Sequence, residues 1–281
     1  VIVCTGGYAY NPEMTVRLDP EKRGTMGIGH VASTGEGIMM ASNVGALLTH
    51  VNDMMCVLKD YEIMTEHNGN STTANVSSFI SRDNTVLLGA NGKRFVNEKD
   101  IGYMTQKLNS PVFDQMHKDD LGYVWAISDK ASLEAKGVVR GLNMEFITAD
   151  TFEELAEKMG IDPDAFEETF NNYNAFCEKG HDDEFGKRKE MLIPLDKPPY
   201  YGRKIGAATL CVVGGVKVDE QFRALDEHNE PVPGLYVLGN TMAGRYGVDY
   251  PFIMPGNSTG SGMTYGYLLG RAFGNPEFKP R

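Results

Sequence analysis

The sequence predicts an α/β fold, and three of its features carry that expectation. Short apolar runs bounded by Gly and Pro, at Val1–Val3 and Leu235–Leu238, fit strands buried on both faces. Both runs lead into glycines, Gly6-Gly7 and Gly239. Other stretches carry apolar residues three and four apart, the pattern of helices packed on a sheet. A chain of 281 residues can bury a sizeable core, and its texture changes near residues 50 and 205, so two domains are expected.

Taken in order, residues 1–7 read as a strand ending at Gly6-Gly7. Asn11-Pro12-Glu13-Met14 suits a turn and a helix start, because proline is tolerated at the first helical position. Ser33 to Gly37 leads into Ile38, Met39, Ala41, Val44 and Leu47, an amphipathic helix. Thr85 to Glu98 reads as a hairpin: an apolar run, an Asn91-Gly92 turn and a second run. Thr151-Phe152-Glu153-Glu154 is a capping box for a helix reaching Met159-Gly160. Asp162-Pro163 opens the next helix, whose Phe166, Phe170, Tyr173 and Cys177 share one face before Gly180 stops it. Pro198-Pro199 marks a rigid return, and alternation resumes from Ile205. Near the end, Val232-Pro233-Gly234 reads as a turn before the strand Leu235–Leu238. A Gly-rich loop, Gly256 to Gly262, then feeds a helix from Met263 to Phe273.

Composition removes several function classes. A net charge of −11 argues against a nucleic-acid binder, which needs a basic surface. No apolar run approaches the length that crosses a bilayer. Cys4, Cys56, Cys177 and Cys211 show no CxxC spacing, so they read as free, buried thiols. The six histidines are scattered, and no metal site is expected. No serine sits in a G-x-S-x-G elbow, so a hydrolase triad is not supported.

The C-terminal stretch carries the chemistry. Gly256, Gly260 and Gly262 let backbone approach a ligand closely, since no Cβ intervenes. Asn257, Ser258 and Thr259 are all plausible N-caps of the helix that follows, and a helix start favours anions. Strand, glycine loop and helix start together point to a large polar cofactor, although such loops also occur without one.

Gly234-Leu235-Tyr236-Val237-Leu238-Gly239-Asn240, with Gly256-Asn257-Ser258-Thr259-Gly260-Ser261-Gly262, resembles the C-terminal FAD segment of the fumarate reductase/succinate dehydrogenase flavoproteins. Flavocytochrome c fumarate reductases and 3-ketosteroid dehydrogenases are relatives in that family. Four further stretches are similar in the same order: Val1 to Gly7, Thr34 to Ala41, Gly92 to Glu98, and Gly214 to Asp219. The resemblance implies a Rossmann-like FAD-binding domain from residues 1–50 and 206–281, with an inserted α+β capping domain at 51–205. It further implies that the G-x-G-x-x-G unit for the FAD pyrophosphate lies upstream of Val1, so the chain is expected to be a C-terminal portion. Thr5, Gly6 and Gly7 would then approach the adenosine half, Gly239 and Asn240 the ribityl chain, and Gly256, Asn257, Ser258, Thr259 and Gly260 the flavin ring.

Fumarate reductases of this family hold their dicarboxylate with Arg and His, a use of fixed cations. The matching positions here are Gly102 beside Tyr103, Leu210 and Cys211, Tyr250, and Lys59, Asp60 and Tyr61. The cationic clamp is absent and tyrosines replace it, so fumarate is not the expected substrate. A phenol can polarise a carbonyl or move a proton, which makes Tyr250 and Tyr103 the catalytic candidates. Arg245 is a third, able to act on Tyr250 or simply to pair with Asp249. The expected activity is FAD-dependent reduction of an enoate or enone, with a small unsaturated substrate and an electron-donor protein, haem or iron–sulfur module as partner. A 3-ketosteroid-type dehydrogenase is the alternative within the class. A non-catalytic fragment unable to bind FAD is the alternative outside it.

Overall fold

The computed structural model describes residues 1–27, 29–62, 85–98, 110–134, 146–247, 250, 254, 256–275 and 277. These form two compact units. One comprises Val1–Cys56 and Ala208–Arg281, the other the described residues of Val57–Tyr103 and Lys107–Ala207. The mixture of helices and sheets makes the fold α/β, as expected.

In the first unit, β1 (Ile2–Val3) lies parallel to the later strand Pro231–Val237, with Ile2 opposite Tyr236 and Val3 opposite Val237. The strand Arg223–Leu225 pairs antiparallel on the other side, in a register that slips between Arg223 and Leu225. That slip absorbs Val232-Pro233-Gly234, with Gly234 at φ +72°. The expected turn is therefore a bulge inside the strand, because β pairing extends past it to Pro231. The helix α1 (Pro12–Leu18) starts as expected, with the Asn11 side chain accepting from the Met14 N–H. The next helix, α2 (Glu36–Asn43), turns Gly37, Ile38 and Ala41 inward. Met39, Met40 and Val44 are exposed, so its apolar stripe is narrower than the spacing implied. The core of this unit gathers Val3, Ala41, Val216, Phe222, Val237, Leu238 and Leu269.

The second unit is built on the first half of the long strand Tyr200–Val212. The strand Val124–Asp129 pairs along one edge of it, from Val124 opposite Ile205 to Asp129 opposite Tyr200, and Ile147–Ala149 pairs along the other. Val86–Leu88 extends the sheet beyond Val124–Asp129. Two helices, Phe152–Met159 and Pro163–Lys179, supply the core side chains Leu155, Phe166, Phe170 and Tyr173. Phe152 stacks on Tyr200 and Phe170, with ring centroids 4.1 and 4.6 Å away. Both helices begin and end where the caps placed them: Thr151 and Asp162 open them, and Gly160 and Gly180 close them in the left-handed conformation. The capping box is shifted by one residue, since Glu154 reaches back to the Asp150 N–H instead of Thr151.

The expected hairpin is only half formed. Its turn closes, with a single bridge between Leu88 and Arg94, but the second arm makes no strand. Arg94 is the reason. Its guanidinium is buried and engages Glu98 at 3.2 Å, Asp182 at 2.9 Å and Glu184 at 3.4 Å. Lys187 joins Glu98 at 3.1 Å. A desolvated cation must be compensated, and that need draws the arm away from the ladder. Of the four thiols, Cys56 and Cys211 are buried and Cys177 is half-buried, but Cys4 is exposed, because only Val3 of its short strand faces the core.

Two outcomes follow from these buried charges. Arg94→Met should destabilise the protein by about 3–5 kcal/mol in chemical denaturation, because it leaves the buried Asp182 carboxylate without its cation. Lys59 is also buried, and burial lowers its pKa from 10.5 to about 8. Its folded value lies below the unfolded one, so this residue makes stability rise between pH 8 and 10.5 and adds no slope below pH 8. Lys59→Met should remove that rise and raise the melting temperature at pH 7.

Candidate functional site

The parallel pairing of β1 with Pro231–Val237 brings two glycine turns out at the same end of one sheet, where the carboxyl ends of parallel strands leave room for ligands. Gly6 adopts φ +87°, which a side chain would disfavour. Its N–H donates to the Thr241 hydroxyl at 3.0 Å, and that hydroxyl donates back to the Gly6 carbonyl at 3.1 Å. Thr241 is fully buried, so one side chain fastens the first turn to the second. Gly7 serves packing: a Cβ there would come within 3.2 Å of Val212. Thr5 is exposed and lies against Gly37, where an added Cβ would collide with its hydroxyl.

From the second turn, a polar network reaches the last helix (Asn257–Gly274), α7 of the seven described α-helices in chain order. The Asn240 carboxamide oxygen accepts from the Ser258 hydroxyl at 2.7 Å and from Arg245. Arg245 also donates to the Ser261 hydroxyl at 3.3 Å. The helix begins six residues earlier than its apolar pattern implied, so the expected loop forms its first turns. Asn257, Ser258 and Thr259 do not cap it. Gly256 does, at φ +77° and without a side-chain hydrogen bond, because glycine has no side chain and Asn257, Ser258 and Thr259 already lie inside the helix. The Tyr250 phenol substitutes for a cap, accepting the Ser258 N–H at 3.2 Å.

Tyr250 packs against Tyr246, with ring centroids 4.8 Å apart. Both lie on an apolar cluster of Met55, Leu210, Cys211 and Val213. Arg245 covers the other ring of the pair, with its guanidinium carbon 4.2 Å from the Tyr246 centroid. Burial pushes the Tyr246 phenol up, opposed by Arg245, and holds the Arg245 guanidinium below its usual range. Burial also pushes the Cys211 thiol up to about 12, which makes it an inert apolar neighbour.

The structure thus brings together Gly6, Asn240, Arg245, Tyr250, Gly256 and Ser258. Tyr103 and Asp249 lie outside the described residues. The sequence reading missed Tyr246, Thr241 and Ser261. For Tyr246 a signal existed, since it stands four residues before Tyr250 around a glycine, but that spacing is commonplace in packing surfaces. At Gly239, Gly256 and Gly260 an added Cβ would meet nothing within 4 Å, so backbone is open to a ligand there. With a helix start beside it, that opening fits the flat, polar edge of a flavin ring.

Tyr250→Phe removes the acceptor for the Ser258 N–H. It should lower stability by about 1 kcal/mol in denaturant titration, the usual cost of losing a helix cap.

Comparison with known proteins identifies the family. Residues 1–258 match the model of the FAD binding domain. The chain is 30% identical to vinyl phenol reductase of Lactiplantibacillus plantarum, over 98% of its own length and 59% of that protein. It is 28% identical to 3-oxosteroid 1-dehydrogenase of Mycolicibacterium smegmatis, over 95% of its length and 51% of that protein. The solved open conformation of a flavocytochrome c3 fumarate reductase superposes with a TM-score of 0.75 at 24% identity, covering 96% of this chain and 45% of that one. The chain therefore spans between about half and three-fifths of these two curated relatives. FAD is the cofactor that this family binds, and the chain belongs to it: the FAD binding domain family, among the fumarate reductase/succinate dehydrogenase-like flavoproteins.

Proposed function

We propose that the chain is part of an FAD-dependent oxidoreductase that transfers hydride between flavin N5 and a carbon–carbon bond adjacent to a carbonyl. In this reading residues 1–50 and 206–281 belong to an FAD-binding domain of Rossmann type, and 51–205 to an inserted α+β capping domain. Bound FAD supplies the hydride chemistry. Thr5, Gly6 and Gly7 would hold its adenosine half, Gly239 and Asn240 its ribityl chain, and Gly256 through Gly260 its ring. An electron-donor protein, or a haem or iron–sulfur module, would supply reducing equivalents.

The observation that carries the reading is the placement of the Tyr250 phenol on the first-turn amide of Ser258, beside the open backbone of Gly256 and Gly260. A phenol at that turn can polarise a carbonyl or deliver a proton to the α carbon. Tyr103 is the second proposed proton carrier. The surroundings favour an uncharged substrate face: Leu210, Cys211 and Tyr250, at positions where a dicarboxylate would need cations, sit together in the apolar cluster. The same apolar floor supports a second reading, dehydrogenation of a 3-oxosteroid, the reaction named for one relative.

The purified protein should be yellow and its flavin stoichiometric. A colourless protein would instead support a fragment that binds no FAD. After anaerobic reduction, enones and enoates should reoxidise the flavin and fumarate should not. Rapid turnover of fumarate would overturn the substrate reading. Tyr250→Phe should keep the flavin and slow reoxidation by about 10²–10⁴-fold, the usual range for a lost general acid.

A further inference from the structure

Arg245 differs from an ordinary half-buried arginine in what surrounds it. Its two terminal nitrogens reach only neutral oxygens, those of Asn240 and Ser261. Its Nε is buried without an acceptor. No ion pair joins it to a carboxylate among the described residues. The face of its guanidinium rests on Tyr246, which shields one side from water. Burial already disfavours its charged form. A cation placed this way costs stability in the empty protein, since neither water nor a counter-charge compensates it fully.

We infer that Arg245 is a positioning charge for an anion that forms during turnover at the start of α7. The inference rests on the proposed location of the flavin ring. A flavin that takes up two electrons and one proton becomes negatively charged, and an enolate of the substrate is the other anion of the same delocalised type. Either one would meet the uncompensated guanidinium beside Asn240 and Ser258, where the polar network holds it rigid.

The test compares Arg245→Gln with Arg245→Lys in the flavin-loaded protein and after flavin removal. Arg245→Gln should make the flavin midpoint potential more negative. A tenfold loss of preference for the reduced ring corresponds to about 30 mV for two electrons. The same change should stabilise the flavin-free protein, and Arg245→Lys should restore the potential. If the anion is the enolate, the potential stays fixed while binding of a phenolate substrate analogue weakens at least about tenfold. Unchanged potential together with unchanged analogue binding would overturn the inference. So would a loss of stability in flavin-free Arg245→Gln, which marks a mere tie between Asn240 and Ser261. A wild-type protein that binds no flavin would remove the site reading, and the inference with it.

Discussion

One buried hydroxyl sets the geometry of the candidate site. Thr241 accepts from and donates to the backbone of Gly6, 235 residues away in the chain, and so satisfies both polar groups of a turn that has no ladder partner. It can do so only because Ile2–Val3 and Tyr236–Val237 pair in parallel register, which delivers the two glycine turns side by side. Asn240, the next residue back, carries the connection onward to Ser258 and so to the first turn of α7. Strand edge, turn and helix start are thereby one hydrogen-bonded unit.

Arg94, which is buried, and Arg245, which is half-buried, illustrate different uses of the same side chain. Arg94 is surrounded by carboxylates and stacked between the rings of Tyr173 and Phe185, each with its centroid 5.0 Å away. Its charge is answered inside the fold, and its burial there is a matter of architecture. Arg245 has neutral partners and one aromatic face. No ion pair among the described residues answers its charge. The contrast is one of compensation, since both guanidiniums are largely removed from water.

The phenols follow the same logic. Tyr250 fills a gap in backbone hydrogen bonding that no side chain of the helix itself closes, and Tyr246 supports it from the apolar side.

Features governed by neighbours in sequence were legible from sequence alone. Thr151, Asp162, Gly160 and Gly180 bound their helices because capping is settled within one turn, and the family was visible in five separated glycine and polar motifs. The second arm of the hairpin failed because Arg94 finds Asp182 88 residues away, a partner that no local pattern reveals. The caps of α7 were misread because the helix begins at Asn257, which puts Ser258 inside it, where its hydroxyl bonds Asn240. Tyr246 could not be separated from a packing aromatic until its neighbours were known. Sequence determined the cofactor class and the local elements, since short-range chemistry encodes them. Tertiary structure alone decided which polar atoms are already spent and which charge remains unanswered, because that depends on partners brought together only by folding.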